Sequence, residues 1–196
     1  MPYDSDNDPY IDPRSGVLKN KLNITDKTKL EEAEAIITTP AIALLKEEPI
    51  VGDFDLKHLQ SVHKQLFDPI YTWAGELRTV MLAKGSTQFA NPDFLQQAAN
   101  SLFANLHSEN LLEGLDDETY FKRFAHYYSE VNILHPFREG SGRTQRAFFS
   151  LLAAHANKDI AWDRMDPKEN LKASIAAYNG SEDQLVAMLR SLVEKQ

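Results

Sequence analysis

The sequence predicts a single, mainly helical domain that carries one short β-hairpin. In most segments apolar side chains recur every three or four residues, which is the spacing of one face of an α-helix. Residues 77–89 differ, because they combine β-branched residues with a central glycine, as hairpins do. The chain has 196 residues and is 42% hydrophobic, which is enough to bury one substantial core.

Residues 1–24 open with an acidic stretch rich in proline, and we expect an N-terminal arm that lies on the surface or is partly mobile. A single domain is expected over residues 25–196. Within it, the first helix should end near Ile37, and Ser181 and Gln184 form the capping box of the last one. Capping residues and apolar stripes predict helices that start near Asp26, Asp55, Asp93, Tyr120, Arg143, Pro167 and Ser181.

One loop, between the fourth and fifth predicted helices, is suited to binding an anion. Pro136 ends the preceding helix because it lacks an N–H donor, so His135 lies at the end of that helix. Gly140 and Gly142 allow tight backbone turns, and the next helix starts at Arg143. A helix start presents unpaired N–H groups and a partial positive charge, so this turn can bind phosphate.

The side chains of this loop suit a polyphosphate bound together with a metal ion. Arg143 and Arg146 lie three residues apart on one helical face, so both guanidinium groups can reach the outer phosphates. Glu139 can bind Mg²⁺ through its carboxylate while phosphate oxygens and waters complete the octahedron. His135, with an ordinary histidine pKa of about 6.5, can accept a proton near neutral pH and act as a general base.

Each of these residues also has a plainer interpretation when it is taken alone. A histidine before a proline is commonly a packed residue at a helix end, and arginines are commonly solvated surface charges. A base, a carboxylate, a Gly-x-Gly turn and two arginines at this spacing have little structural reason to coincide. The combination therefore favours a phosphate-handling site.

Residues 135–146 resemble the signature of the Fic family, His-x-Phe-x-(Asp/Glu)-Gly-Asn-(Gly/Lys)-Arg-x-x-Arg. Ser141 stands where the signature has asparagine. Residues 10–13, 16–20 and 73–78 are similar to the family as well, so the resemblance implies the mainly helical Fic fold. The signature residues present in this chain are His135, Phe137, Glu139, Gly140, Gly142, Arg143 and Arg146.

The resemblance implies an enzyme that transfers the AMP moiety of ATP, with Mg²⁺, to a hydroxyl side chain of a target protein and releases pyrophosphate. It makes His135 the catalytic base and Glu139 the metal ligand. The turn at residues 178–180 either closes the adenine end of the site or only ends a helix. The nucleotide-binding residues implied around the motif are Gly140, Ser141, Gly142, Arg143 and Arg146.

Two alternatives to AMP transfer remain open. Family members that transfer the terminal phosphate carry lysine at the position of Gly142, so the glycine here favours AMP transfer over phosphoryl transfer. Ser141 leaves open a catalytically weak, nucleotide-binding interaction protein.

The resemblance also implies protein partners. In similar proteins the hairpin is a flap that aligns the target by strand pairing, so the target should dock at residues 77–89, with Lys84 and Gly85 nearest to it and to the nucleotide. Fic proteins are commonly silenced by a helix whose glutamate pairs with the second motif arginine, here Arg146. The nearest match to that helix, residues 28–33, is incomplete. A separate antitoxin is therefore implied, and with it a toxin that modifies the ATPase subunits of DNA gyrase and topoisomerase IV.

Composition restricts the other function classes. The chain has no cysteine and no apolar run at its N-terminus, so we expect no disulfides, no signal peptide and no membrane partner. A net charge of −8 argues against direct binding to nucleic acid. We therefore expect a cytoplasmic protein that acts on other proteins.

Overall fold

The computed structural model describes residues 8–85 and 87–193, which form seven helices and one antiparallel hairpin. Residues 1–7, part of the predicted arm, lie outside the described residues. The predicted mainly helical fold with a short hairpin is confirmed. The elements are α1 (Lys27–Glu47), α2 (Leu56–Phe67), β1 (Ala83–Lys84), β2 (Thr87–Gln88), α3 (Leu95–Ser108), α4 (Asp117–Leu134), α5 (Ser141–His155), α6 (Pro167–Tyr178) and α7 (Asp183–Ser191).

Aspartate side chains cap three helices at the predicted places. Asp26, Asp55 and Asp166 each accept a hydrogen bond from a backbone N–H in the first turn of α1, α2 and α6. The capping box predicted from Ser181 and Gln184 is wrong, since α7 begins without a side-chain cap. The Ser181 hydroxyl instead donates to the carboxylate two residues further on. Local spacing therefore predicts a helix start better than it predicts the bond that caps it.

The helices α4 and α5 meet at the motif loop and are anchored in the core. Phe124 of α4 and Phe149 of α5 are fully buried and meet edge to face, with ring centroids 5.2 Å apart. α2 packs on α5 and on α1, while α6 and α7 pack on each other and on α4. The loop thus joins two fixed helices. Among the described residues no helix has the length and apolar content needed to cross a bilayer.

The described part of the N-terminal segment packs on the rest of the domain. Ile11 and Leu18 form an isolated antiparallel bridge. Tyr10 is 9% exposed, and its ring meets Trp73 edge-on at a centroid distance of 5.2 Å. Residues 8–20 therefore pack on the domain through apolar side chains, and the division into an arm over residues 1–24 and a domain over residues 25–196 stays a prediction.

The hairpin is shorter than the predicted residues 77–89. Only two residues pair on each strand, and Gly85 follows β1 with a φ of +62°. Ser86 lies outside the described residues. Residues 77–82 belong to no strand, and within this stretch the Arg78 N–H donates to the Pro136 carbonyl of the motif loop at 2.9 Å. The register pairs Ala83 with Gln88 and Lys84 with Thr87.

The buried Arg78 ties the hairpin segment to the end of α4. It is 2% exposed. Its guanidinium donates to main-chain carbonyl groups of the hairpin segment and of the end of α4. The carbonyls of Val80 at 2.6 Å and Ala90 at 2.5 Å flank the hairpin. Those of Leu134 at 3.1 Å and His135 at 2.8 Å end α4. One side chain therefore sets the separation of the hairpin from the motif loop.

We expect Arg78→Lys to destabilise the protein by about 3 kcal/mol, because an ammonium group cannot serve these carbonyls as a planar fork and leaves buried acceptors without donors. Urea unfolding at pH 7 measures this change. Arg164→Lys, at an exposed arginine, is the matched control and should change the free energy of unfolding by less than about 0.5 kcal/mol. Equal stability of both variants would show that the Arg78 bonds contribute nothing.

Candidate active site

The candidate base, His135, is oriented by the backbone at the end of α4 and by an aromatic ring from the hairpin segment. The residue follows α4 in the left-handed region, with a φ of +43°, which turns the chain into the motif loop. The imidazole stacks on Phe89, with ring centroids 3.9 Å apart and an interplanar angle of 15°. The hairpin segment thus covers one face of the ring.

Burial changes the proton affinity of His135. Desolvation, together with the positive charges of Arg78 and Lys84, lowers the pKa of His135 to about 3. The ring is therefore neutral at pH 7 and able to accept a proton. It is a weaker base than the imidazole with an unperturbed pKa assumed from the sequence. The buried site, which the sequence did not reveal, accounts for the difference.

A second histidine, His63 of α2, holds the motif loop in place. Its Nδ1 accepts a hydrogen bond from the Gly75 N–H at 2.7 Å, so Nε2 carries the proton and donates to the Glu139 carbonyl at 3.0 Å. Its ring also stacks on Phe137 at a centroid distance of 3.9 Å. Burial lowers the pKa of His63 to about 4, which keeps this neutral tautomer at pH 7. Nothing in the sequence distinguishes His63 from an ordinary packed histidine.

The two motif glycines serve different purposes. Gly140 has a φ of +77°, and a Cβ atom there would overlap the ring of Phe67, so no larger residue fits. Gly142 is helical, and a Cβ atom there would lie 3.5 Å from Arg146, an ordinary contact. The expectation of a tight turn therefore holds for Gly140 only. Gly142 lies in the first turn of α5, and its lack of a side chain leaves the backbone of that turn accessible.

Ser141 braces the motif loop. Its hydroxyl donates to the Phe137 carbonyl at 3.0 Å, and the Phe137 N–H lies 3.2 Å from the same oxygen. The side chain is therefore used inside the loop, and what Ser141 offers to an anion is its backbone N–H at the start of α5. An asparagine side chain also carries a donor and an acceptor, so the serine preserves the kind of contact that the signature residue can make.

The two motif arginines have different surroundings. The guanidinium of Arg143 forms an ion pair with Glu34 of α1 and lies over the Phe67 ring, 4.8 Å from its centroid. It also reaches Glu139 at 3.5 Å. By contrast, no carboxylate in the described part of the chain lies within ion-pair distance of Arg146. The prediction that both arginines meet the outer phosphates thus fits the position of Arg146 better than that of Arg143.

Glu34 is the carboxylate that α1 brings to the motif. It is 5% exposed, and besides Arg143 it accepts a hydrogen bond from the Tyr71 hydroxyl. Burial raises the pKa of Glu34, and the charge of Arg143 opposes that rise. The incomplete inhibitory match at residues 28–33 ends just before Glu34, and its glutamates are exposed. Sequence spacing missed Glu34 because its partner is more than a hundred residues away.

Glu139 is suited to bind a metal ion that arrives with a nucleotide. Its side chain is 31% exposed, and one oxygen accepts the Gly140 N–H at 2.8 Å. The described residues contain no group of three or more histidine, aspartate or glutamate side chains that could enclose a metal. A cation here would take one protein carboxylate and complete its shell with phosphate oxygens and waters. That donor set fits Mg²⁺.

The side chains of the motif that bear on chemistry line one cavity of 460 Å³, together with Lys84 of the hairpin. Gly85, at the hairpin tip, is the predicted site residue that does not line it. A neighbouring cavity of 510 Å³, between the N-terminal segment and α1, shares Lys84, Glu139 and Arg143 with it. The predicted site residues that line the first cavity are Lys84, His135, Glu139, Gly140, Ser141, Gly142, Arg143 and Arg146.

One wall of this cavity comes from α6, which the sequence did not mark as functional. Leu171 and Ile175 are 49% and 44% exposed and line the cavity, although their spacing is that of a core stripe. The Oδ1 atom of Asn170 is buried there without a hydrogen-bond partner among the described residues. The Tyr178 hydroxyl donates to the Gln88 carbonyl at 3.3 Å, so the predicted adenine turn contacts the hairpin, and α6 itself lines the cavity.

We expect the side-chain nitrogen shifts of His135 in the free protein to stay those of a neutral ring from pH 8 to pH 5. The reason is that its pKa lies near 3, whereas an unperturbed histidine titrates near 6.5. NMR titration of ¹⁵N-histidine-labelled protein measures this, and the spectrum of His135→Gln assigns the signal. A midpoint near pH 6.5 would show that the ring is not buried as described.

We expect Ser141→Ala to destabilise the protein by about 1–2 kcal/mol and to lower nucleotide turnover, because both bonds to Phe137 are lost. Ser141→Asn should preserve or raise activity, since an amide can restore the bridge. Urea unfolding and activity assays compare the two variants. Ser101→Ala, at an exposed serine of α3, is the control. A marked fall in the activity of Ser141→Asn with unchanged stability would show that the loop is built around serine.

Comparison with known proteins agrees with this geometry. Residues 53–153 match the model of the Fic/DOC family. The chain is 40% identical over 188 residues to the protein adenylyltransferase VbhT of Bartonella schoenbuchensis, which covers 96% of this chain and 39% of that protein. It is 39% identical over 159 residues to a probable protein adenylyltransferase Fic of Escherichia coli K12, covering 81% of this chain and 78% of that protein.

A solved structure agrees over nearly the whole chain. The N-terminal Fic domain of a VirB-translocated Bep effector protein from Bartonella quintana, with bound ADP, has a TM-score of 0.88 and 27% sequence identity, and covers 95% of each chain. The names of the relatives agree with the predicted enzyme class, although this chain spans only about two fifths of VbhT. The family match covers more than half of the chain, and the chain belongs to the Fic/DOC family.

Proposed function

We propose that this chain transfers the AMP moiety of ATP to a hydroxyl side chain of a target protein, with Mg²⁺ as cofactor. The observation that carries the proposal is that a neutral histidine, a helix N-terminus and a metal-competent carboxylate line one cavity next to a hairpin. The names of the relatives and the ADP bound to a similar Fic domain support the nucleotide and the reaction class.

In the proposed reaction a ring nitrogen of His135 accepts the proton of the target hydroxyl. The hydroxyl oxygen then forms a bond to the α-phosphorus, and the bond between that phosphorus and the bridging oxygen breaks, so pyrophosphate leaves. Phe89 and the left-handed backbone hold the ring in one orientation during this step. The mechanism therefore needs the ring to be neutral before the target arrives.

The phosphates would be held by backbone and charge together. The N–H groups at the start of α5, from Ser141 onward, would donate hydrogen bonds to phosphate oxygens. The loop would not have to move, because His63 holds it in place. Arg146 meets the outer phosphates with a planar guanidinium. Glu139 would hold Mg²⁺, and the ion would supply positive charge close to the phosphates. Lys84, exposed on β1, adds a positive charge at the mouth of the cavity.

The α6 wall would bind the adenine base. Leu171 and Ile175 offer an apolar surface to a flat ring. Asn170 also lines the cavity, and its amide carries both a donor and an acceptor for the edge of the base.

The protein should carry label from α-labelled ATP, but not from γ-labelled ATP, onto a target protein. His135→Ala should lower this transfer by at least about 10²-fold, as loss of a general base does, with nucleotide affinity nearly unchanged. His107→Ala, at an exposed histidine of α3, is the control. Transfer of the γ label would indicate a phosphoryl transferase, and binding without transfer of either label would indicate a catalytically weak nucleotide-binding protein.

We also propose that the chain is the toxin of a toxin–antitoxin pair in the cytoplasm, with the ATPase subunits of DNA gyrase and topoisomerase IV as targets. This part rests on the family resemblance. The target segment would pair with the hairpin, where β1 and β2 are short and partly exposed. Because Arg146 forms no ion pair with a carboxylate of the described residues, a glutamate on an antitoxin helix can pair with it and exclude the outer phosphate.

A co-expressed antitoxin should abolish AMP transfer at one partner per chain. Replacing its inhibitory glutamate with glycine should restore transfer while the complex still co-purifies, because a buried interface contributes more than one ion pair. The assay is incorporation of AMP into the purified gyrase and topoisomerase IV subunits by wild-type and mutant complexes. A mutant partner that still silences the enzyme would show that inhibition does not act through Arg146.

A further inference from the structure

We propose that Glu34 is a positioning residue for the metal-binding carboxylate, and that it acts through Arg143. The inference rests on the proposed function, since it takes Glu139 as the ligand of Mg²⁺. It gives Arg143 a role different from that of Arg146, because Arg143 orients a carboxylate whereas Arg146 meets phosphate. It also adds a residue of α1, far away in sequence, to the machinery of the motif.

Both carboxylate oxygens of Glu34 are occupied. Oε1 accepts the Tyr71 hydroxyl, and Oε2 accepts Nη2 of Arg143. The Thr38 hydroxyl, one turn further along α1, lies 3.5 Å from Nη1 of Arg143 and itself donates to the Glu34 carbonyl. The direction of the Arg143 side chain is therefore set from α1 at two of its three nitrogens.

Arg143 passes this constraint to the motif. The same Nη2 atom lies 3.5 Å from Oε1 of Glu139, and the guanidinium plane is backed by the Phe67 ring. Arg143 thus stands between two carboxylates, one buried and one facing both cavities. With its Oε1 held by Arg143 and by the Gly140 N–H, the Glu139 side chain presents its carboxylate in one orientation.

Burial indicates that this contact is permanent. Glu34 is 5% exposed and Tyr71 is fully buried. Moving Arg143 away would leave this mostly buried carboxylate without its ion-pair partner and with only the Tyr71 hydroxyl as a side-chain donor, which is unfavourable. α1 is itself anchored by Leu30 and Leu45, which are 3% and 4% exposed. Glu34 therefore cannot act as a removable inhibitor, and its effect should be to support metal binding.

The test measures binding of AMP-PNP, a non-hydrolysable ATP analogue, by calorimetry with and without Mg²⁺. In Glu34→Gln the Mg²⁺-dependent gain in affinity should fall about tenfold, the loss of one charge-assisted interaction. Affinity without Mg²⁺ should be unchanged. In AMP transfer the same variant should need about tenfold more Mg²⁺ for half-maximal rate. Glu31→Gln is the matched control, since Glu31 is an exposed glutamate on the same helix that lines the neighbouring cavity.

If Glu34→Gln fails to fold, the same binding measurement on Tyr71→Phe tests the inference. This variant removes one donor to Glu34 and keeps the packing of the ring. It should lower the Mg²⁺-dependent gain by about threefold. The inference would be overturned if the folded variant kept the wild-type Mg²⁺ dependence, bound AMP-PNP more tightly or was more active. It would also be overturned if the variant lost equal affinity with and without Mg²⁺. If the wild-type protein itself gains nothing from Mg²⁺, the proposed metal role of Glu139 fails, which is a separate result.

Discussion

The contact between Arg78 and the main chain is the constraint on which the site depends. An arginine that is 2% exposed is tolerated only when its donors are satisfied, and here the acceptors are carbonyls of the hairpin segment and of the end of α4. Because the acceptors are backbone atoms, the hairpin and the α4 terminus must come together for the core to form. The positions of His135 and of the hairpin are thus coupled to folding itself.

The motif loop is held from its other side by contacts that leave its N–H groups available. His63 binds the Glu139 carbonyl, and Ser141 bridges both main-chain atoms of Phe137. Gly140 fits only because it has no side chain against Phe67. His135 and Gly140 of the loop have positive φ angles. The contacts of His63 and Ser141 keep the loop in this conformation. A phosphate that binds at α5 therefore meets donors that are already oriented.

The sequence predicts the parts of the molecule whose chemistry is local. Helix caps such as Asp55 and the contiguous motif from His135 to Arg146 can be recognised because the residues that act together are close in the chain. The roles of Glu34 and His63 could not be predicted, since the motif residue that each one contacts, Arg143 and Glu139 respectively, lies 109 and 76 positions away. The α6 wall was missed for another reason: Leu171 and Ile175 have the spacing of a core stripe but line a cavity.

The electrostatics of the site connect nucleotide binding to the strength of the base. In the free protein, burial and the charges of Arg78 and Lys84 hold the pKa of His135 far below its ordinary value. A polyphosphate at the start of α5 places negative charge in the cavity that His135 lines, and nearby negative charge raises the pKa of a histidine. Mg²⁺ on Glu139 would limit that rise by neutralising part of the charge. The histidine is thus a poor proton acceptor toward an empty site and a better one toward a site filled with nucleotide, so proton abstraction is favoured where a phosphorus atom is present to receive the resulting oxyanion.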